Sequence, residues 1–402
     1  MRITHVVFSL DPAWGGPPAV VPRLAAAQAA LGHDVVVLSY GSAGRSEATE
    51  TALRHVPGRE RVRFEYLPEP DLIERLLAPV MRRRLQSLRR DVDILHLHGV
   101  WEACLRVAAS EAAHAGVPYA VAPHGMLDPW SLRQGRLKKQ LALAVGYRRM
   151  LRWASFLHVL NDDEARFLAP LRLGTPAEVI PNGVFLEEMF PLPSRNAFAA
   201  SWSAVDGRPF ILFLARLHYK KGLDLLAQAF AAIAADRPDW MLVVAGPEAG
   251  AGDAFRTAIA AAGLSDRVLL TGPLYGAAKL EALAAAACFC LPSRQEGFSV
   301  GITEALAAGV PVVMSDACHF GDAAEAGAAL ETPLSVPALA EALARVTGDA
   351  ALRDAMGARG RALVQERFTW PRVAAQSLAV YDRALAASDH QEPMAAVQEV
   401  GA

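Results

Sequence analysis

Cysteine is scarce in this chain: four residues in 402, at Cys104, Cys288, Cys290 and Cys318. They are too few and too scattered for a disulfide framework, and no metal-ligand spacing links them. Buried free thiols in a reducing compartment are therefore expected. Cys288 and Cys290 alternate along one apolar run and should face the same packed layer. Charge of one sign is also lacking: the formal net charge is −2, which gives no reason to expect a nucleic-acid partner. No apolar run approaches the ~18 residues that span a bilayer. The opening Met1-Arg2-Ile3-Thr4-His5-Val6 enters a strand at once, without a signal-peptide pattern. A cytoplasmic protein, soluble or peripheral to the inner face of the membrane, is the expectation.

What is present is a globular composition, 53% hydrophobic and 20% charged, in a chain long enough for two cores. Short apolar runs alternate with longer helical stretches, the pattern of parallel α/β layers. In the first half, strands are expected at 3–9, 34–39, 62–66, 94–97, 119–122, 156–160 and 177–180. Helices fall between them, among them 18–31, ended by Gly32, and a single helix over 71–90. Pro181-Asn182-Gly183-Val184, followed by Pro191, Pro193 and Ser194, reads as a connection between halves. A second series of strands follows at 210–214, 241–245, 267–270, 288–291 and 310–313. Phe368-Thr369-Trp370-Pro371 breaks the chain before a last amphipathic helix, and the tail after it should fray. Ligands of such open sheets sit beyond the strand C-termini, so two of them facing each other would place the ligand in a cleft.

Chemistry concentrates in the second half. Arg216 and Lys221-Gly222 follow the strand 210–214; Glu296 and Glu304, eight positions apart, follow the strand 288–291. A guanidinium grips two phosphate oxygens, an ammonium adds a point charge, and carboxylates accept hydrogen bonds from hydroxyls. A helix starting near Ser299 would aim its backbone N–H groups at the same place. That combination suits an anionic diphosphate joined to a ring of hydroxyls. The plainer readings are a capping box at Ser293-x-x-Glu296, which Gly297 makes unattractive, and a solvated basic turn at Lys220-Lys221.

Taken together, Arg216…Lys221-Gly222, the Glu296-x7-Glu304 pair and Pro181-Asn182-Gly183-Val184 resemble glycosyltransferase family 4, over nearly the whole chain. The resemblance implies a GT-B fold: two Rossmann-like domains, 1–184 and 185–369, the helix 370–387 crossing back to the first, and a flexible tail over 388–402. It implies a retaining hexosyltransferase that uses a UDP- or GDP-sugar and needs no metal or other cofactor. The acceptor is expected to be a glycan or polyprenyl-linked hydroxyl, in bacterial exopolysaccharide or lipopolysaccharide synthesis, a lean carried by His124-Gly125-Met126-Leu127-Asp128-Pro129-Trp130. Residue by residue, it implies a glycine loop at Gly15-Gly16 near the diphosphate and His124 at the donor sugar. Gly297, Phe298 and Ser299 would touch sugar and phosphate, Glu296 would orient the sugar and Glu304 the ribose. His98, with Trp101 nearby, becomes a candidate acceptor contact. Phe185 and Ser299 depart from the aspartate and glycine frequent in the family, and bear on sugar preference.

Four other patterns compete. His96-x-His98 lacks a third metal ligand, and Asp91-x-Asp93 precedes a strand, where a solvated turn is expected. Gly297-x-Ser299-x-Gly301 spells a hydrolase elbow, but Ser299 stands eight residues past the strand. Gly250-x-Gly252 follows a strand as in a nicotinamide dehydrogenase, without the third glycine at Phe255. A non-catalytic nucleotide-sugar binder shares every pattern above. Finally, seven basic residues between Arg133 and Arg152, with no acid between Asp128 and Asp162, interleave with leucines. A basic amphipathic helix over 133–152 would lie on anionic lipid, or simply present a basic outer face.

Overall fold

A computed structural model describes residues 1–41, 47–88, 90–205 and 207–389. The chain divides into two compact units, one of Met1–Asn182 with Trp370–Ala402, the other Gly183–Thr369. The first cut falls inside the Pro-Asn-Gly-Val turn and the second just before Trp370. The frayed tail expected over 388–402 lies almost wholly outside the described residues.

Unit 1 is built on seven parallel strands in the order β3-β2-β1-β4-β5-β6-β7. They are β1 (Arg2–Ser9), β2 (Asp34–Tyr40), β3 (Arg63–Leu67), β4 (Ile94–His98), β5 (Tyr119–Ala122), β6 (Phe156–Val159) and β7 (Ala177–Val179). Unit 2 carries six in the order β10-β9-β8-β11-β12-β13: β8 (Phe210–Leu214), β9 (Met241–Ala245), β10 (Val268–Gly272), β11 (Cys288–Leu291), β12 (Val312–Ser315) and β13 (Ala329–Thr332). Every strand of the expected series is present within two residues or so at its ends. In both sheets the order reverses next to the first strand, between β1 and β4 and between β8 and β11. Such reversal points open a crevice at the strand C-termini.

Three expectations need correction. The helix read over 71–90 is two, Leu72–Leu77 and Pro79–Leu88, because Ala78 turns left-handed (φ 48°) ahead of Pro79. Strand β13 was not anticipated; Ala329-Leu330-Glu331-Thr332 is an edge strand with too few apolar residues to stand out. The basic segment 133–152 is no continuous helix. It runs as Arg136–Ala142, a kinked π-turn at Leu143–Tyr147 where Gly146 has φ 112°, and Arg148–Trp153. Met150 and Leu151 within it are buried, whereas Leu137, Leu141 and Val145 stay exposed.

The cores explain the rest. Unit 2 packs phenylalanine, leucine and valine from β8, β9 and β11 against the helices Leu223–Ile233 and Val300–Ala308. In unit 1, Leu95, Leu97, Val121, Leu157 and Val159 join the apolar core with the helix Ala103–Ala115. The terminal helix Trp370–Asp389 packs on the helix Pro17–Ala30, with Trp370 and Tyr381 fully buried. All four cysteines are free and buried. Asp93 is clamped by Arg2, whose guanidinium donates to it at 2.6 and 3.0 Å, so this acid secures the start of β1.

Candidate functional site

In unit 2 the reversal point brings the predicted charges together. β8 and β11 are neighbours, pairing Ile211 with Cys288 and Leu212 with Phe289, so the loops leaving their C-termini lie side by side. Gly222 seals them: its φ is 67°, and a Cβ there would stand 1.9 Å from the carbonyl oxygen of Pro292. Only glycine lets the two loops approach this closely. The result is an ion pair, Lys221 Nζ to Glu296 Oε1 at 2.5 Å, with both side chains mostly buried. Ser293 Oγ donates to the same carboxylate oxygen, and the Glu296 amide donates to Ala317 O at 3.0 Å. Ser293 therefore supports a loop rather than capping a helix.

Arg216 stands exposed at the end of β8 with no ion-pair partner among the described residues. The neighbouring His218 has its pKa lowered by burial first and then by Arg216, Lys220 and Lys221, a sign of how cationic this loop is. Ser299 is the N-cap of the helix Val300–Ala308, its hydroxyl accepting from the Ile302 amide. Bonded in this way and 6% exposed, it is no nucleophile elbow. Gly297 precedes it, and Phe298 is half-buried against Phe320 and Phe368. Glu304, one turn into that helix, pairs with Lys279 at 2.6 Å. At Gly250-x-Gly252, the amides of Ala249, Gly250 and Gly252 all donate to the Glu248 carboxylate, at 2.7 to 3.1 Å. A loop that satisfies its own amides with a carboxylate is a poor seat for a dinucleotide pyrophosphate.

Unit 1 places its residues just beyond the C-terminal ends of β1, β4 and β5. Gly15 (φ 97°) and Gly16 lie exposed between a short turn after β1 and the helix Pro17–Ala30, with open space where a side chain would stand. His124 and Gly125 both take left-handed backbone, φ 52° and 73°. Glu164 holds that turn, accepting from the Gly125 amide at 2.6 Å and from Leu160 at 2.7 Å. Burial pushes the Glu164 carboxyl up to about 7 although those amides oppose it. His124 is partly exposed as a residue, and its Nε2 meets His98 Nδ1 at 3.1 Å. His98 itself is 3% exposed, with its other nitrogen on His5 at 2.9 Å. Both nitrogens are spent inside unit 1, so direct contact with an acceptor is not what this position supports. Trp101 is half-buried, with the Lys139 ammonium 5.4 Å from its ring centre. His5, His96 and His98 cluster tightly enough to suggest a metal. Yet His5 and His98 aim nitrogens at each other across 2.9 Å, the geometry of a shared proton, and both His96 nitrogens are taken by Tyr381 and His158.

Comparison with known proteins agrees across both units. The profile "Glycosyl transferase 4-like domain" matches residues 15–183 and "Glycosyl transferases group 1" matches residues 194–363. The GDP-mannose:cellobiosyl-diphosphopolyprenol alpha-mannosyltransferase of Xanthomonas oryzae pv. oryzae is 30% identical over 80% of each chain. This chain belongs to glycosyltransferase family 4. The D-inositol 3-phosphate glycosyltransferase of Kineococcus radiotolerans is a further family relative, 29% identical over 92% of this chain and 91% of its own. Among solved structures, Anabaena HepE in complex with UDP superposes with a TM-score of 0.77 at 20% identity, covering 95% of this chain and all of that one. The fold is thus GT-B and the protein a glycosyltransferase, with relatives acting in lipid and glycan synthesis.

For this glycosyltransferase the sequence patterns missed three residues. Arg294 grips Asp224 with two bonds of 2.7 Å, donates to the Tyr219 carbonyl and stacks on the Tyr219 ring, tying the β8 and β11 loops together. Lys279 sits on a helix with nothing around it in sequence to mark it. Glu164 had a signal, since Asn161-x-x-Glu164 has capping-box spacing, with Asn161 accepting from the Glu164 amide.

Proposed function

We propose that this glycosyltransferase moves a hexose from a UDP- or GDP-sugar, with retention, to a hydroxyl of a glycan or lipid-linked acceptor in bacterial exopolysaccharide or lipopolysaccharide synthesis. The carrying observation is the Lys221–Glu296 pair at the β8/β11 reversal point, beside exposed Arg216 and the start of the helix Val300–Ala308. In this structure the two charges satisfy each other. A nucleotide sugar offers each a replacement: diphosphate oxygens for Lys221, and sugar hydroxyls that donate to Glu296. Arg216 and Lys221 then stabilise the departing diphosphate as negative charge builds on it. Glu304 exchanges Lys279 for a ribose diol. Gly15-Gly16, Gly297, Phe298 and Ser299 complete the donor contacts, and His124 orients the sugar. The acceptor hydroxyl attacks from the leaving-group face, and a phosphate oxygen takes its proton. Trp101 remains the acceptor-side candidate.

A relative named for GDP-mannose and a structural neighbour bound to UDP support a nucleotide-sugar donor. Contact with the inner membrane face rests on Leu137, Leu141 and Val145, 81%, 66% and 64% exposed beside Arg136 and Lys138. Among the described residues no helix is long and apolar enough to cross a membrane. The test is release of nucleoside diphosphate from a panel of UDP- and GDP-sugars, with the product's anomeric configuration read by NMR. Binding without turnover across that panel would favour the non-catalytic binder; an inverted product would remove the front-face route.

A further inference from the structure

Beneath His124 lies a run of buried polar groups that the proposed chemistry leaves unused. His5 on β1, His96 and His98 on β4 and His158 on β6 share one face of the sheet, because side chains alternate along strands and His5 stands level with His96 in the register. The intervening strand β5 offers Ala120 and Ala122, small enough for His96 Nε2 to meet His158 Nδ1 at 3.1 Å. Gln28 and Tyr381 enter the same layer from the helices Pro17–Ala30 and Trp370–Asp389. Four of the rings are buried and, among the described residues, no carboxylate joins the run; burial lowers the pKa of all five histidines and keeps them neutral near pH 7.

Neutrality makes the proton positions solvable. His158 Nε2 lies 2.7 Å from the Ile180 carbonyl, which can only accept, so the proton is on Nε2 and His158 Nδ1 is a lone pair. His96 must then donate from Nε2, leaving its Nδ1 to accept from the Tyr381 hydroxyl at 2.6 Å. Tyr381 has spent its proton and accepts from the Gln28 amide at 3.2 Å. That amide also donates to Ser377 Oγ, whose own proton goes to Ala374 O. Gln28 Oε1 is thereby turned to His5, and accepts from its Nε2 at 2.7 Å. His5 Nδ1 accepts from His98 Nε2, and His98 Nδ1 from His124 Nε2. Every direction follows from two backbone carbonyls, at Ile180 and Ala374, and two hydroxyls. The amide of Gln28 cannot pass a proton as an imidazole does, so the run orients rather than conducts.

We propose that Tyr381 and Gln28 are positioning residues that fix His124 as the neutral tautomer protonated on Nε2, so that its Nδ1 presents a lone pair to a donating hydroxyl. A phosphate oxygen or a carbonyl, having no proton to give, is refused at that atom. The recognition half of this statement rests on His124 facing the donor sugar, as read above; the tautomer half does not.

The test is long-range proton–nitrogen NMR on protein labelled in histidine, without ligand, beside steady-state kinetics with the accepted nucleotide sugar. In the wild-type protein His124 shows a single Nε2-protonated neutral ring at pH 7. Tyr381→Phe, which conserves volume, frees Gln28 to turn over; His124 becomes a mixture of tautomers, and KM for the donor rises several-fold with a smaller change in kcat. Gln28→Leu does the same more strongly. A wild-type His124 protonated on Nδ1, or on both nitrogens, overturns the proposal, as does a tautomer unmoved in both variants. Shifted tautomers with an unchanged donor KM overturn the recognition half alone. The roles of Arg216 and Lys221 are judged by their own variants.

Discussion

The two units solve the same problem in opposite ways. Both gather polar groups at the point where their strand order reverses. Unit 2 keeps them charged, as ion pairs between loops: Lys221 with Glu296, Arg294 with Asp224. Unit 1 keeps them neutral, as imidazoles hydrogen-bonded to one another beneath the sheet surface. The difference teaches where each arrangement draws its stability. A buried ion pair loses hydration and recovers it only while both partners stay. A neutral chain loses less, but must satisfy every donor and acceptor, and so becomes directional.

The largest effects should come from breaking the charged side. Arg216→Ala is expected to lower turnover about 10²–10³-fold while moving folding stability by less than about 0.5 kcal/mol, because the side chain is exposed. Lys221→Ala should lose as much turnover and in addition destabilise unit 2 by about 2 kcal/mol, since it strands Glu296. Nucleoside-diphosphate release beside denaturant titration separates the two. Equal stability loss in both variants, or unchanged turnover in either, would erase the contrast.

The neutral side breaks with pH. In each of the five histidines the folded pKa lies below the ordinary 6.5, at about 4 for His5 and His158 and about 3 for His124. The unfolded chain therefore takes up protons first as the pH falls. Their contribution is whole above pH 6.5 and is lost on the way down to about 4, by up to about 1.4 kcal/mol per pH unit for each ring. Hydrogen exchange should show β1, β4 and β6 losing protection in that window before β8 and β11 do. A unit 1 whose protection is flat from pH 7 to 4.5 would contradict the neutral chain.

Smaller changes sharpen the comparison. Gly222→Ala forces a Cβ against the Pro292 carbonyl in left-handed backbone, and should cost about 1–3 kcal/mol. It should also lower turnover by moving Lys221 off Glu296, which reduced affinity for a nucleotide sugar would report. Least affected is the Lys279–Glu304 pair, partly open to solvent, where a double-mutant cycle should give about 0.2–1 kcal/mol.

The strands could be read along the chain because each is a short apolar run bounded by turn formers, and all but β13 were found so. Arg216, Lys221, Glu296 and Glu304 could be read because they follow strand ends at fixed spacing. The break at Ala78 was missed although Pro79 marks it, and the kink at Val145-Gly146 was hidden inside a run of good helix formers. Arg294 and Lys279 were illegible, since their partners lie 70 and 25 residues away. Most hidden were the histidines. His96-x-His98 gave two of the five and the family resemblance a third, His124, while His5 and His158 stand more than 30 residues from any of these, with Gln28 and Tyr381 from opposite ends of the chain.

By itself the sequence determined the α/β class, two series of strands, the family and the charges that follow β8 and β11, because each rests on local periodicity or on a short spacing. Tertiary structure alone decided which charge pairs with which, and which nitrogen of His124 carries the proton. Those depend on strand order and register, which bring His5, Gln28, His98 and Tyr381 into one layer, and on a backbone carbonyl at Ile180 that fixes the first proton in the run.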